Sequence, residues 1–128
     1  MSASLESFRR IRGDCLVDRF YELFLSSDER IRAMFVRTDL ARQKQMLLFG
    51  LLVVLGHSDG EPTASRALNR LSERHRELGV PAAMYDAFMS CMLRSAAELD
   101  PEWSPAVEQD WRRALTAGIA VMQLHAPK

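Results

Sequence analysis

The chain is poor in the features that mark specialised protein classes. It has only two cysteines, Cys15 and Cys91. Their separation matches no metal-ligand spacing, so neither a disulfide scaffold nor a zinc site is expected. Both stand at apolar-periodic positions and read as buried thiols. There is no net charge, because 17 Lys and Arg balance 17 Asp and Glu. A generic nucleic-acid binder would show a basic excess, and the local arginines here are interleaved with acids, as on solvated helix faces. The longest apolar stretch, residues 46–56, falls well short of the roughly 20 residues that span a bilayer. The start, Met1-Ser2-Ala3-Ser4-Leu5, lacks a basic segment leading into an apolar run, so no signal peptide is expected. Repeats, low-complexity tracts and long linkers are missing. So is any period-two segment long enough to be a convincing strand. These absences leave a reduced, cytoplasmic protein with no membrane and no nucleic-acid partner as the expectation.

What is present is a well-filled helical chain. Hydrophobic residues make up 48% and charged residues 27% of its 128 positions, a balance that argues against disorder. That length suits one domain over residues 1–128 and buries roughly two-thirds of the unfolded chain's surface. Leu5, Phe8 and Ile11 begin a short amphipathic helix broken near Gly13. Asp14 is expected to cap the next helix, whose apolar face holds Cys15, Leu16, Phe20, Leu23 and Phe24. Ser27 or Asp28 starts a short helix with Ile31, Met34 and Phe35. Thr38 and Asp39 cap a long one that buries Gln43, Met46, Leu47, Gly50, Leu51 and Val54 in one stripe. Ser58-Asp59-Gly60-Glu61-Pro62 reads as a loop, and Thr63 as the cap of a helix through Leu68, Leu71 and His75. That helix stops at Gly79, a plausible left-handed C-terminal residue. Pro81 suits the start of the next helix, with Tyr85, Phe88, Met89, Met92, Leu93 and Ala96. A turn over residues 100–105 precedes the last helix, with Val107, Trp111, Leu115, Gly118, Ile119 and Met122 inward. The sum is six or seven packed helices, with the long helix after Asp39 and the two after Pro81 forming most of the core.

Four polar or aromatic residues interrupt this apolar pattern in a telling order. Phe35 follows Tyr21 by fourteen residues, then comes Arg42-Gln43-Lys44-Gln45-Met46-Leu47, and then His75-Arg76-Glu77-Leu78-Gly79-Val80-Pro81, with Tyr85 ten residues after His75. This arrangement resembles the globin family, specifically bacterial single-domain haemoglobins akin to the haem domain of flavohaemoglobins. The resemblance spans about Leu5 to Met122. Tyr21 and Phe35 match the family's distal tyrosine and haem-stacking phenylalanine. Gln43 and Leu47, four apart, match its distal stretch. His75 and Tyr85 match the proximal histidine and the tyrosine that follows it.

The resemblance implies an all-α globin fold around a haem pocket. It implies haem b, iron protoporphyrin IX, as cofactor, with His75 as the iron ligand. His57 and His125 are poorer candidates, at a helix end and near the C-terminus. Phe35 would stack on the haem, and Leu47, Leu51, Val80, Phe88 and Met92 would line an apolar box that keeps water from the iron. Tyr85 would set the orientation of His75. Arg37, Arg42, Lys44 and Arg74 are candidate partners for the propionates. On the distal side Tyr21 and Gln43 are both hydrogen-bond donors. Each charge-assisted bond to a polarised ligand contributes roughly 1.5–3 kcal/mol, a factor of about ten to a hundred in affinity. Lys44 is the register rival of Gln43, since a one-residue slip turns the facing position by about 100°.

The implied function is reversible binding of dioxygen or another diatomic gas. Nitric oxide dioxygenation is a further prospect that needs an external reductase, and no residue is singled out as catalytic. A gas sensor, or a haem-free globin-fold regulator acting through a partner, is the alternative. Monomer and homodimer are both open. Two departures from the family matter. Flavohaemoglobin-type domains place a glutamate late in the last helix, against the proximal histidine; this chain has Gln123, Leu124, His125 and Ala126 there. The segment between Phe35 and Gln43 is also shorter than in those relatives.

Overall fold

Among the described residues seven helices follow one another: α1 (Ala3–Arg10), α2 (Gly13–Ser27), α3 (Glu29–Met34), α4 (Leu40–Ser58), α5 (Pro62–Leu78), α6 (Ala83–Leu99) and α7 (Pro105–Gln123). This computed structural model describes residues 2–58, 60, 62–78 and 80–123, with side chains at all of these except 58, 62–65, 77, 78 and 123. No strand occurs among the described residues. The architecture is all-α, as the periodicity led us to expect, and its seven described helices agree with the fold that the resemblance implies.

The helix starts follow local hydrogen-bonding chemistry. Ser2 caps α1, its hydroxyl accepting from the Leu5 amide. Asp28 caps α3 by accepting from the Arg30 amide at 2.8 Å. Asp39 accepts from the Arg42 amide at 3.3 Å at the head of α4, and Ser104 accepts from the Val107 amide at the head of α7. In each case a short polar side chain satisfies an amide that the first turn leaves without a partner. Asp14 does not act in this way. Helix α2 already begins at Gly13, Arg12 occupies the cap position without a side-chain bond, and Asp14 lies in the first turn. Pro81 precedes α6 rather than opening it, its carbonyl accepting from the Met84 amide at 3.1 Å. Gly60 takes φ 86° in the turn after α4, a conformation that favours glycine. The expected cap at Thr63 and the expected stop at Gly79 lie outside the described residues.

Packing places α4 at the centre. It rests against α5, α7, α2 and α1, while α2 also packs on α6 and α1 on α7. Leu16, Leu55, Met92, Ala96, Trp111 and Ala114 are fully buried at the heart of the core. The core draws on α2 more heavily than the sequence suggested, through Leu16, Val17, Phe20, Tyr21 and Phe24. Two expectations fail at helix edges. Cys15 is exposed, whereas Cys91 is buried; on α2, Cys15 projects away from the side that holds Leu16 and Phe20. Met46 is 44% exposed, lying at the rim of the buried stripe of α4.

Close helix approach depends on glycine at one crossing. A Cβ at Gly118 of α7 would meet Val54 of α4 at 2.8 Å. Polar chemistry locks α1 in place. The buried Asp100 carboxylate, at the end of α6, accepts from Arg10 Nε and Nη2 at 3.0 and 2.9 Å and from the Ser7 hydroxyl. The Arg10 bond is the main reason its pKa falls to about 2, against the opposing effect of burial. Asp110 of α7 accepts from the Ser4 amide at 2.8 Å, a carboxylate placed at the positive end of α1.

Candidate functional site

Tyr21 projects from the buried face of α2 and is only 4% exposed. Burial raises its pKa, and a side-chain hydrogen bond with Gln43 partly offsets that. The phenol therefore stays protonated through the neutral range. Gln43 stands in the first turn of α4, half-buried. The neighbouring Lys44 turns to α2 instead, its Nζ 2.9 Å from Asp18 Oδ1. Of the two register rivals, Gln43 is thus the one joined to Tyr21.

Phe35 closes α3 and sits edge-on to Tyr21, with ring centroids 6.0 Å apart at 67°. Phe24 approaches it similarly at 6.1 Å. Phe88 of α6 packs edge-on against Phe20 at 5.2 Å. These rings tie α2, α3 and α6 into one aromatic wall around Tyr21, with offset and perpendicular contacts of the kind ring quadrupoles favour. Leu47 is half-buried against the same core.

His75 occupies the last turn of α5 and is half-buried. Its Nδ1 lies 2.8 Å from the Leu71 carbonyl oxygen, one helical turn back. A carbonyl only accepts, so Nδ1 carries the proton, and Nε2 is the ring nitrogen left to offer a lone pair to a metal. Backbone geometry thereby sets both the tautomer and the tilt of the ring. Tyr85 lies beside it, buried, with ring centroids 6.4 Å apart and planes tilted by 34°. Burial raises the Tyr85 pKa as well. The Val80 amide donates to the His75 carbonyl at 3.2 Å, a bond of the type that closes a helix C-terminus, and Val80 packs on the core. The bond that orients His75 therefore comes from Leu71. The Tyr85 ring packs beside the same imidazole, and the i−4 position of Leu71 is the sequence signal for the backbone bond.

A link between the two groups runs through α4 and α5. A Cβ at Gly50 of α4 would lie 3.5 Å from Leu71 Cδ2. The helix that carries Gln43 thus touches the residue that holds His75. Residues 124–126, in the stretch where the resemblance leads one to look for a glutamate, lie outside the described residues.

A globin family model matches residues 18–122, most of the chain and both groups just described. The chain belongs to the globin family. Among solved structures, the globin is similar to a Pseudomonas aeruginosa PAO1 protein described as structurally highly homologous to a human hemoglobin. The two are 27% identical, with a TM-score of 0.87, over 98% of this chain and 97% of the other. A search of curated proteins found no match. No helix among the described residues is long and apolar enough to cross a membrane.

Proposed function

We propose that this globin holds haem b through His75 and binds dioxygen or a related diatomic gas beside Tyr21 and Gln43. The observation that carries the reading is the 2.8 Å contact between His75 Nδ1 and the Leu71 carbonyl. Metal-bound histidines characteristically give their second ring N–H to such an acceptor, which fixes the ring and raises its basicity. The donor set fits the group: Nε2 as a neutral imidazole ligand, Phe35 as an aromatic surface, and Leu47, Val80 and Phe88 as apolar lining.

When bound, haem supplies a ferrous iron that takes a diatomic ligand. The rest is performed by the chain. Tyr21 and Gln43 already engage each other, so two donors are pre-positioned on neighbouring helices and little ordering is needed when a ligand arrives. The apolar and aromatic surroundings exclude water and strengthen each hydrogen bond. With a separate reductase, the same distal pair would orient dioxygen toward nitric oxide, one electron completing the conversion to nitrate. The protein would work in the cytoplasm, with the reductase as a separate partner.

The test is haem reconstitution followed by absorbance spectroscopy of the ferric, ferrous and carbonmonoxy forms. A Soret band in wild type that His75→Ala weakens or shifts supports the reading. Identical spectra and haem retention in that variant would remove His75 from the iron. Sustained nitric oxide consumption with a generic reductase supports dioxygenation, and strictly stoichiometric loss counts against it.

A further inference from the structure

The outward face of α4 carries large apolar side chains that the site does not use. Phe49 is 64% exposed, Leu52 51% and Met46 44%. From Gln45 to Gly56 this helix carries no charged side chain. A soluble helix ordinarily covers its outer face with charge. The protruding Phe49 forms one side of a largely apolar groove of about 480 Å³ between α1 and α4, walled otherwise by Phe8, Ile11, Leu48 and Leu52, with Arg9 at its edge. Gly13 also lines it, and a Cβ there would meet the tip of Leu48, Cδ2, at 2.7 Å. Knob and hole therefore stand side by side on one face.

We propose that this face joins two copies of the chain about a two-fold axis, the Phe49 ring of each filling the α1–α4 groove of the other. A two-fold interface apposes one patch to itself, so a face of a single charge sign would repel its copy. This one is neutral along α4, and its rim on α1 offers both signs through the exposed Glu6 and Arg9. A second groove, on α7, is rimmed by Arg112 and Arg113, which pair with Glu108 and Asp110, and none of the exposed large hydrophobic side chains among the described residues lies on that helix. Size agrees as well. Phe49, Leu52 and Met46 together expose about 300 Å² of side chain, given that a phenylalanine presents 150–250 Å². With the groove walls and a polar rim this supplies the centre of a contact burying roughly 800 Å² per copy. The inference is independent of haem binding.

Sedimentation velocity of the full chain, from about 1 to 300 µM, tests it. The expected result is a concentration-dependent dimer. Phe49→Glu should weaken association by about a hundredfold, as loss of a central anchor does. Leu52→Lys provides a second variant should Phe49→Glu fail to fold, with circular dichroism as the check. Thr116→Glu on α7 should leave the dimer intact. Wild type that stays monomeric throughout overturns the proposal, as does a dimer indifferent to both α4 variants or one broken by Thr116→Glu. Monomeric wild type that sediments with anionic phospholipid vesicles through Phe49 would also overturn it, assigning the face to a lipid surface.

Discussion

Replacing Tyr21 by phenylalanine removes one oxygen and tests the distal half of the site. In the resting protein that oxygen is hydrogen-bonded to Gln43 and buried. Gln43 is only half-buried, so water can take over its amide. The loss in folding stability should then stay near 1 kcal/mol, the net value of a neutral hydrogen bond. The effect on a bound gas is larger, because a donor to a polarised ligand makes a charge-assisted bond of roughly 1.5–3 kcal/mol. Dioxygen should leave Tyr21→Phe about ten to a hundred times faster. Gln43→Leu should also speed release. Because the two side chains touch, the double variant should lose less than the sum of the single losses. Stopped-flow displacement of dioxygen from the ferrous, haem-loaded protein measures all three rates. Off-rates within about twofold of wild type in both single variants, with unchanged Soret spectra, would refute a donor role for this pair.

Other outcomes follow from groups already described. Asp100 has its carboxyl lowered from 3.8 to about 2, so it contributes stability above pH 4 that disappears as pH falls from about 4 through about 2. Asp100→Asn should cost roughly 1 kcal/mol at neutral pH, after discounting for solvent near Arg10, and should flatten the acid limb of a Tm-versus-pH curve. The chain's 2 tyrosines, Tyr21 and Tyr85, both have pKa values raised by burial from 10.0. Their contribution is complete below pH 10 and is lost as pH rises above it; phenolate absorbance should therefore appear together with loss of helical circular dichroism, and titration of either ring in a fully folded protein would contradict this. Gly118→Ala pushes a methyl to within 2.8 Å of Val54, and overpacking of this kind should lower stability by about 1–3 kcal/mol in urea titrations. An unchanged midpoint would mean that α4 and α7 separate freely.

The helices were legible because apolar spacing is strong in α2, α6 and α7, where Phe20, Met92 and Trp111 fall where the 3.6-residue period puts them. Spacing tells less about rotation within a helix that is apolar nearly all round. In α4, Met46 and Leu47 differ by one position, yet one faces solvent and the other the core. Cys15 was misplaced for a related reason, since a small apolar residue at a helix start fits either face. The candidate site was readable in its polar members: Tyr21, Gln43 and His75 are costly in an apolar setting without partners. Their partners were harder to see. Leu71 acts through a backbone carbonyl, which its side chain does not advertise. Asp18, which draws Lys44 aside, looks in sequence like any exposed acid. The ties of Asp100 to Ser7 and Arg10 join positions some ninety residues apart, beyond the reach of local pattern.

Those long ties bear on the order of assembly. Helix α1 has eight residues, too few to hold a helix alone in water. The groups that steady it, Asp100 and Asp110, belong to the far end of the chain. Because α6 and α7 follow α1 in the chain, α1 gains these partners only once those later helices have been made. It should therefore set late, as a latch over the rest of the body. It should also be the first piece to lift when the protein breathes, and its amides should exchange with solvent well ahead of those in α2 and α6.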